Sequence, residues 1–551
     1  MHVDSSSTTV NGKTYRRHLL RESYREAGKV KHRTVANLSQ CSPEEIEAIR
    51  LALRHKGELE AMVAGRPALK LRQGLSVGAV WTVYDVARRL GIAKALGDSR
   101  TGRLALWQVI ARVIGQGSRL SAVRLARSHA ACDVLGLDGF DEDDLYANLD
   151  WLCERQEAIE KRLSQARAGQ GGLFLYDVTS SYLEGTQNEL GAFGYNRDGK
   201  RGKKQIVIGL LCDGEGEPLS IEVFEGNTQD TRTVAAQVRK VAERFGGGEV
   251  TFVGDRGMIK SPQMEDLNRE EFHYITAITK AQIRTLLAAG TIQMDLFDQP
   301  LAEVSEESGK RYVLRRNPAR ASEMETSRED KFATLAREVE RRNAYLATHP
   351  RARVATALKA VGRRAERLRI AGWIEVAGDE ETRTVELRTD TDARAEEAKL
   401  DGCYVLTTDL TPATASKETV HGRYKDLSFV ERAFRTSKTV ELELRPVHVR
   451  LAARTRGHVF VVMLAYRIAR ELARCWSALD TTVQEGLNEL SSLCVTEILE
   501  GDRALCNQIP EPRESVAALL AAADVRMPEA LPARGAIVST KKKLPERRLP
   551  R

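Results

Sequence analysis

The chain has 551 residues, 42% of them hydrophobic, with 85 Lys and Arg against 77 Asp and Glu and a formal net charge of +8. That length excludes a single compact domain, and the apolar fraction supports real cores. The eight cysteines are scattered without a CxxC pair or a Cys/His cluster, which argues against structural zinc and fits a reducing cytoplasm. The opening residues lack the apolar core of a signal peptide, and the apolar run Val459 to Tyr466 is too short to cross a bilayer. The expectation is a soluble protein of the cytoplasm with no membrane partner.

Residues 8–40 read as a small basic β-meander, with Asn11-Gly12 as a hairpin signal. Two readings stay open for it: a solvated sheet face or a DNA-contacting arm. Ser42-Pro43-Glu44-Glu45 opens a helix, with Ser as N-cap, Pro in the first turn and Glu closing a capping box. Residues 42–168 form a helical module. In it Leu104, Leu106, Val109, Ile110, Val113 and Ile114 recur at helical spacing, as a core face does. The module sits where a reader of DNA ends would be expected, although nothing in it specifies a recognition helix.

From residue 171 the period changes. LFLYDVTSSYLEG is a strand, the basic loop GYNRDGKRGKKQ (194–205) follows, and IVIGLLCD and PLSIEVFEG form a hairpin around Asp213-Gly214-Glu215-Gly216. Asp230 opens a helix, GEVTFVGD is the next strand, Ser261-Pro262 opens a short helix, and EFHYITAIT is a further strand. Strand, hairpin, helix, strand, helix, strand is the order of an RNase H-like core. The fold expected is therefore α/β: an RNase H-like mixed sheet over 171–280 and 401–480, preceded by the meander and the helical module. An inserted α+β subdomain should occupy 281–400, with a charged helix near 328–347 and two alternating strands. Residues 481–551 should be a helical region and a loose, basic tail.

Charge is unevenly spread. Residues 417–456 carry ten Lys and Arg against five acids, and the last eleven residues carry six against one. Within 417–456 one amphipathic helix, GRYKDLSFVERAFRTSKTVELELRP, holds Glu431 at its centre. Such a basic helix expects a polyanion beside it. Asp177 and Asp255 each follow an apolar strand, LFLY and VTFV, and glycines flank Asp255. An Asp at a strand end is commonly a turn residue, and a Glu on such a helix is commonly solvated. Three carboxylates of this kind together can hold two divalent ions for in-line phosphoryl displacement.

Taken together these motifs resemble the DDE transposases of bacterial insertion sequences, in the group whose last acid lies in a Tyr-x2-Arg-x3-Glu-x6-Lys helix. Tyr424, Glu431 and Lys438 match that pattern with its spacing, and YDVTSSYLEG, GNTQD (226–230), VGDRGM (254–258) and LRPVHVRLAARTRGHVFVVMLAYRI (444–468) are similar to the group as well. The likeness spans most of 171–280 and 401–470, with a looser match at 14–40.

One position departs: Leu427 stands where the group has Arg. Leu427, Val430 and Phe434 fall on one helical face and read as core, beside a polar stripe of Tyr424, Glu431, Arg435 and Lys438. Arg435 is the expected substitute for the missing phosphate contact, with Arg423 or Lys425 second. Arg256, Lys203 and Lys204 complete the expected DNA-binding set. His421, near the helix entry, reads as structural.

The resemblance implies catalysis by Asp177, Asp255 and Glu431 as ligands of two Mg²⁺ or Mn²⁺ ions. A metal-activated water frees a 3′-OH at the transposon end, and the same site directs it onto target DNA. The partners implied are terminal inverted repeats and target DNA, engaged by a homodimer on paired ends. Two other readings share these residues: an RNase H-like nuclease that hydrolyses without joining, and a non-catalytic DNA-binding derivative of a transposase.

Overall fold

The computed structural model describes the chain except for residues 11, 12, 27, 57–68, 166–171, 245–249, 257, 440, 441, 446, 501, 502, 533 and 542–551. The N-terminal meander is three antiparallel strands, β1 (His2–Val10), β2 (Lys13–Glu26) and β3 (Lys29–Asn37). The Asn11-Gly12 turn signal lies outside the described residues. Ser42 then caps the helix Pro43–Arg54 through a capping box with Glu45.

Strand β4 (Leu69–Ser76) leads into the helical module, whose longest members are Arg100–Gly115 and Glu142–Gln165. The stripe from Leu104 to Ile114 is buried. Between those two helices lies the short strand β5 (Gly139–Phe140).

The centre of the molecule is an eight-stranded mixed sheet. Its strands are β6 (Leu173–Tyr182), β7 (Gln205–Asp213), β8 (Pro218–Glu225), β9 (Thr251–Gly254), β10 (His273–Ala277), β11 (Ala302–Ser305), β12 (Arg311–Arg316) and, after β13 (Ile374–Asp379) and β14 (Thr384–Thr389), β15 (Cys403–Thr408). They lie in the order β11-β12-β15-β10-β9-β6-β7-β8. β6, β9 and β10 are parallel, and β7 and β8 return antiparallel on one side.

Both faces are covered. Phe174, Tyr176 and Val178 of β6 point into one apolar cluster with Phe252 of β9. Leu175 and Val253 point to the opposite face, into a cluster with Val430 and Phe434. This alternation follows from the two-residue period of a strand. On the second face the helix Ala452–Cys475 is buried almost all round, as its run of apolar residues requires.

Two expectations need correction. The inserted subdomain does not begin at 281, because β11 and β12 extend the central sheet through β15. The part with its own core is 318–398, where the helices Pro318–Thr348 and Val354–Leu368 pack on the β13–β14 hairpin around Trp373.

The C-terminal region is also not a loose helical tail. β16 (Cys494–Glu500) and β17 (Arg503–Gln508) pair with β4 and with β18 (Ala530–Leu531), and β19 (Ile537–Val538) lies parallel to β5. Apolar side chains of the helix Glu514–Ala522 are buried, and Trp476 Nε1 donates to Leu519 O at 3.0 Å. The last ten residues lie outside the described set. Among the described residues no helix is long and apolar enough to cross a membrane.

Candidate active site

The sheet register assembles the first two carboxylates. β6 and β9 run parallel with Leu175 opposite Val253 and Tyr176 opposite Gly254. Continued by one residue, the register brings Asp177 level with Asp255, on neighbouring strands about 5 Å apart. Both share the face of Leu175 and Val253, which is the face that the helix Leu427–Lys438 covers. A Cβ on Gly254, just before Asp255, would meet the Ile259 side chain at 2.9 Å, so the glycine lets Ile259 pack close to the strand end.

The third carboxylate arrives on that helix. The stretch read as one helix is two, Lys417–Lys425 and Leu427–Lys438, and they break at Asp426. In the second helix Leu427, Val430 and Phe434 are buried together against the sheet. Leu427 is therefore core, as its spacing indicated. Leu427→Arg would bury a charge; we expect it to lower the thermal midpoint, at a cost of a few kcal/mol, with no gain in DNA affinity. An unchanged midpoint with tighter binding would refute the core assignment.

Glu431 is exposed on the outer side of this helix. Asp177 is half-buried and its carboxyl is pushed up to about 7, first by burial and then by the negative charges of Asp255 and Glu431. The Val178 N–H and the charge of Arg197 oppose that rise. The charges of Asp255 and Glu431 thus both reach Asp177, and none of the three acids has an ion pair among the described residues.

Their oxygens are free to bind a ligand. Asp177 Oδ1 accepts the Val178 N–H at 2.7 Å. Asp255 Oδ1 accepts the Arg256 N–H at 2.6 Å and the Tyr424 hydroxyl at 3.2 Å. Oδ2 of each aspartate and both oxygens of Glu431 have no partner among the described residues. Carboxylate oxygens suit a hard divalent cation. Among the described residues no group of three acidic, His or Cys side chains closes on a single ion position. The donor set fits divalent metal by chemistry, and the three acids do not form a finished cage for one ion.

The other expected residues separate into two groups. Arg435 and Arg256 are exposed, and neither guanidinium has an ion pair among the described residues. Lys425 is exposed, and Arg423 pairs loosely with Asp426 at 3.5 Å. Arg435→Ala is expected to reduce the salt dependence of DNA binding by about one phosphate contact; an unchanged slope removes it as the substitute for the missing Arg.

Lys438 does not belong to the DNA-facing stripe. It is 9% exposed. Its ammonium donates to Thr179 Oγ1 at 2.7 Å, to the Ser180 carbonyl and to Asp198 Oδ1 at 3.0 Å. All three of its donors are used inside the fold. Lys203 and Lys204 are likewise engaged, by Glu184 at 2.8 Å and the Thr186 carbonyl at 3.2 Å. His421 is buried and accepts from Arg315 at 3.0 Å, and burial pushes it down to about 4, so it is neutral and structural.

Two side chains escaped the sequence reading. Phe193 and Tyr195 are 65% and 82% exposed on the loop between β6 and β7. Arg197 of the same loop lies over the Tyr195 ring, and its charge reaches Asp177. Aromatic residues interleaved with Arg and Lys were the available signal.

A model of the transposase DDE domain matches residues 169–468, more than half of the chain. The chain belongs to the DDE transposase family. A second model, the N-terminal domain of IS1634 family transposases, matches residues 3–62. The chain is thus a transposase of the insertion-sequence type, a divalent-metal-dependent enzyme of DNA cleavage and transfer. Among solved structures, a piggyBac transposase synaptic complex with hairpin DNA shares 10% identity over 75% of each chain with a TM-score of 0.35, too distant to carry an argument. No curated protein matches the chain.

Proposed function

We propose that this transposase cuts DNA at the ends of its element and joins the freed 3′ ends to target DNA, using Asp177, Asp255 and Glu431. The observation that carries the reading is the parallel register of β6 and β9, which runs to Tyr176 opposite Gly254, the residues just before Asp177 and Asp255, with Glu431 close enough to raise the Asp177 carboxyl. The strand order β8-β7-β6-β9-β10, with β7 antiparallel to both neighbours, supports an RNase H-like core.

Asp177 and Asp255, through their free Oδ2 atoms, and Glu431 would hold two Mg²⁺ or Mn²⁺ ions. When bound, the ions neutralise the phosphodiester and favour both attacking and leaving oxygens. Tyr424 fixes the Asp255 carboxylate by its hydroxyl bond. Arg435 and Arg256 hold phosphates on either side, and Phe193 and Tyr195 offer stacking faces to unpaired bases. In the first step a water oxygen bonds to phosphorus as the bond to the 3′ oxygen breaks, and that oxygen leaves as a hydroxyl. In the second, the 3′ oxygen bonds to a target phosphorus as a P–O bond of the target breaks. The three acids need no histidine base beside them. We place the enzyme in the cytoplasm on the nucleoid, acting as a homodimer on paired ends.

The test is to incubate pre-cut element ends with circular plasmid and Mg²⁺. Ends covalently joined to the plasmid are expected. Nicking without joining would favour a plain nuclease, and end binding without any strand breakage would favour a non-catalytic derivative.

A further inference from the structure

A cleft of about 720 Å³, lined by none of the three acids, lies between the helical module and the segment that links the catalytic helix to the helix Ala452–Cys475. Arg112 and Arg119 line it, and both are buried. The Arg119 guanidinium donates to Gln108 Oε1 at 2.7 Å and to His458 Nδ1 at 3.2 Å, and it meets no carboxylate among the described residues. Arg112 donates to the carbonyls of Gln116 (2.6 Å), Gly117 (2.8 Å) and Leu442 (3.4 Å), while its Nε has no partner. His458 is held neutral, by burial first and then by the charge of Arg119.

At the mouth, Arg454 pairs with Asp150 at 3.0 Å and Asp143 with Lys541 at 3.0 Å. Among the described lining residues that leaves Arg112, Arg119 and the exposed Arg450 with Glu443 as the one acid not paired to a cation. Burying cations without counter-charge costs several kcal/mol each, and burial pushes Arg119 down to about 9 with Arg112 adding to the fall. Carbonyls, an amide oxygen and an imidazole satisfy most of these N–H groups without offsetting the charge, which a phosphate anion at the cleft would do.

We propose that this cleft seats a backbone phosphate of bound duplex DNA, so that one DNA contact is shared between the helical module and the catalytic core. The inference rests on the chain acting on DNA. It favours a polymer over a free ion because the cleft carries at its mouth the exposed Arg450, which has no ion pair among the described residues.

The experiment is DNA binding to the full chain, by fluorescence anisotropy of a labelled duplex across a salt series. Arg450→Gln should lower the slope of log affinity against log salt by about one. Glu443→Gln should tighten binding. Arg119→Gln, where its melting curve is retained, should weaken binding and lower the slope as Arg450→Gln does; if it unfolds, the two exposed variants decide the matter. Unchanged affinity and slope in both exposed variants overturn the proposal. A second arm measures the thermal midpoint of the DNA-free protein in inorganic phosphate and in chloride at equal ionic strength. A phosphate-specific rise with unchanged DNA slopes would make the cleft a small-anion pocket and overturn it too. A wild-type chain that binds no duplex at low salt would sink the DNA reading of the whole protein, and the cleft with it.

Discussion

Asp177→Asn is expected to abolish strand cleavage and, at the same time, to raise the thermal midpoint of the metal-free protein at pH 8. The two effects have one cause. The Asp177 carboxyl is pushed up from 3.8 to about 7, by burial first and then by Asp255 and Glu431. Between those values the folded chain holds a proton that the unfolded chain has released. Stability therefore falls as pH rises from about 4 to 7, and the full penalty, on the order of a few kcal/mol before allowance for partial exposure, applies above 7. Asn keeps the shape and removes the charge. Added Mg²⁺ should close the gap by stabilising the wild type and not the variant.

Loss of one carboxylate should remove several kcal/mol of transition-state stabilisation, roughly a thousandfold or more in rate. Asp255→Asn and Glu431→Gln should be equally inactive, and all three should retain DNA binding. Cleavage retained in Mg²⁺ by any one of them would remove that residue from the site. A lowered midpoint for Asp177→Asn at pH 8 would refute the account of its environment.

The contrast between Asp177 and its neighbours explains what could be read from the chain alone. Apolar runs ending in Asp are visible in one dimension, and the parallel pairing of β6 with β9 then brings Asp177 and Asp255 side by side. Leu427 was legible for the same reason: the spacing to Val430 and Phe434 marks a core face.

The break at Asp426 was not legible, because neither Pro nor Gly interrupts 423–434 and both halves have helical composition. Joining β11 and β12 to the sheet depends on pairing with β15 some 90 residues later, well beyond any local period. The pairing of β16 with β4 spans over 400 residues. The cleft of Arg112 and Arg119 was hidden in a stretch whose apolar stripe reads as ordinary core. For the strands and the cleft the missing information was a long-range partner.

Lys438 is the sharpest instance, and it yields the other large effect. Its position in the helix pattern suggested a phosphate ligand; its surroundings make it a strut. The ammonium ties the end of the catalytic helix to Thr179 and Ser180 of β6 and to Asp198, which Arg445 also contacts at 2.6 Å. The Asp198 side chain is only 2% exposed. Removing one partner of a buried pair leaves charge and donors uncompensated, which typically costs 3–5 kcal/mol, and with Arg445 still in place we expect about 3 kcal/mol.

Lys438→Ala should therefore lower the thermal midpoint sharply and also reduce cleavage, because Glu431 rides on the helix that Lys438 anchors two turns further on. The salt slope of DNA binding should stay at the wild-type value. Pairing Lys438→Met with Asp198→Asn should recover part of the stability, since the uncompensated charge goes with its partner. A stable Lys438→Ala with a slope reduced by one would overturn the strut and return the lysine to the DNA face. Only a side chain pointing away from the fold can give up its charge without loss of stability, and Lys438 points inward.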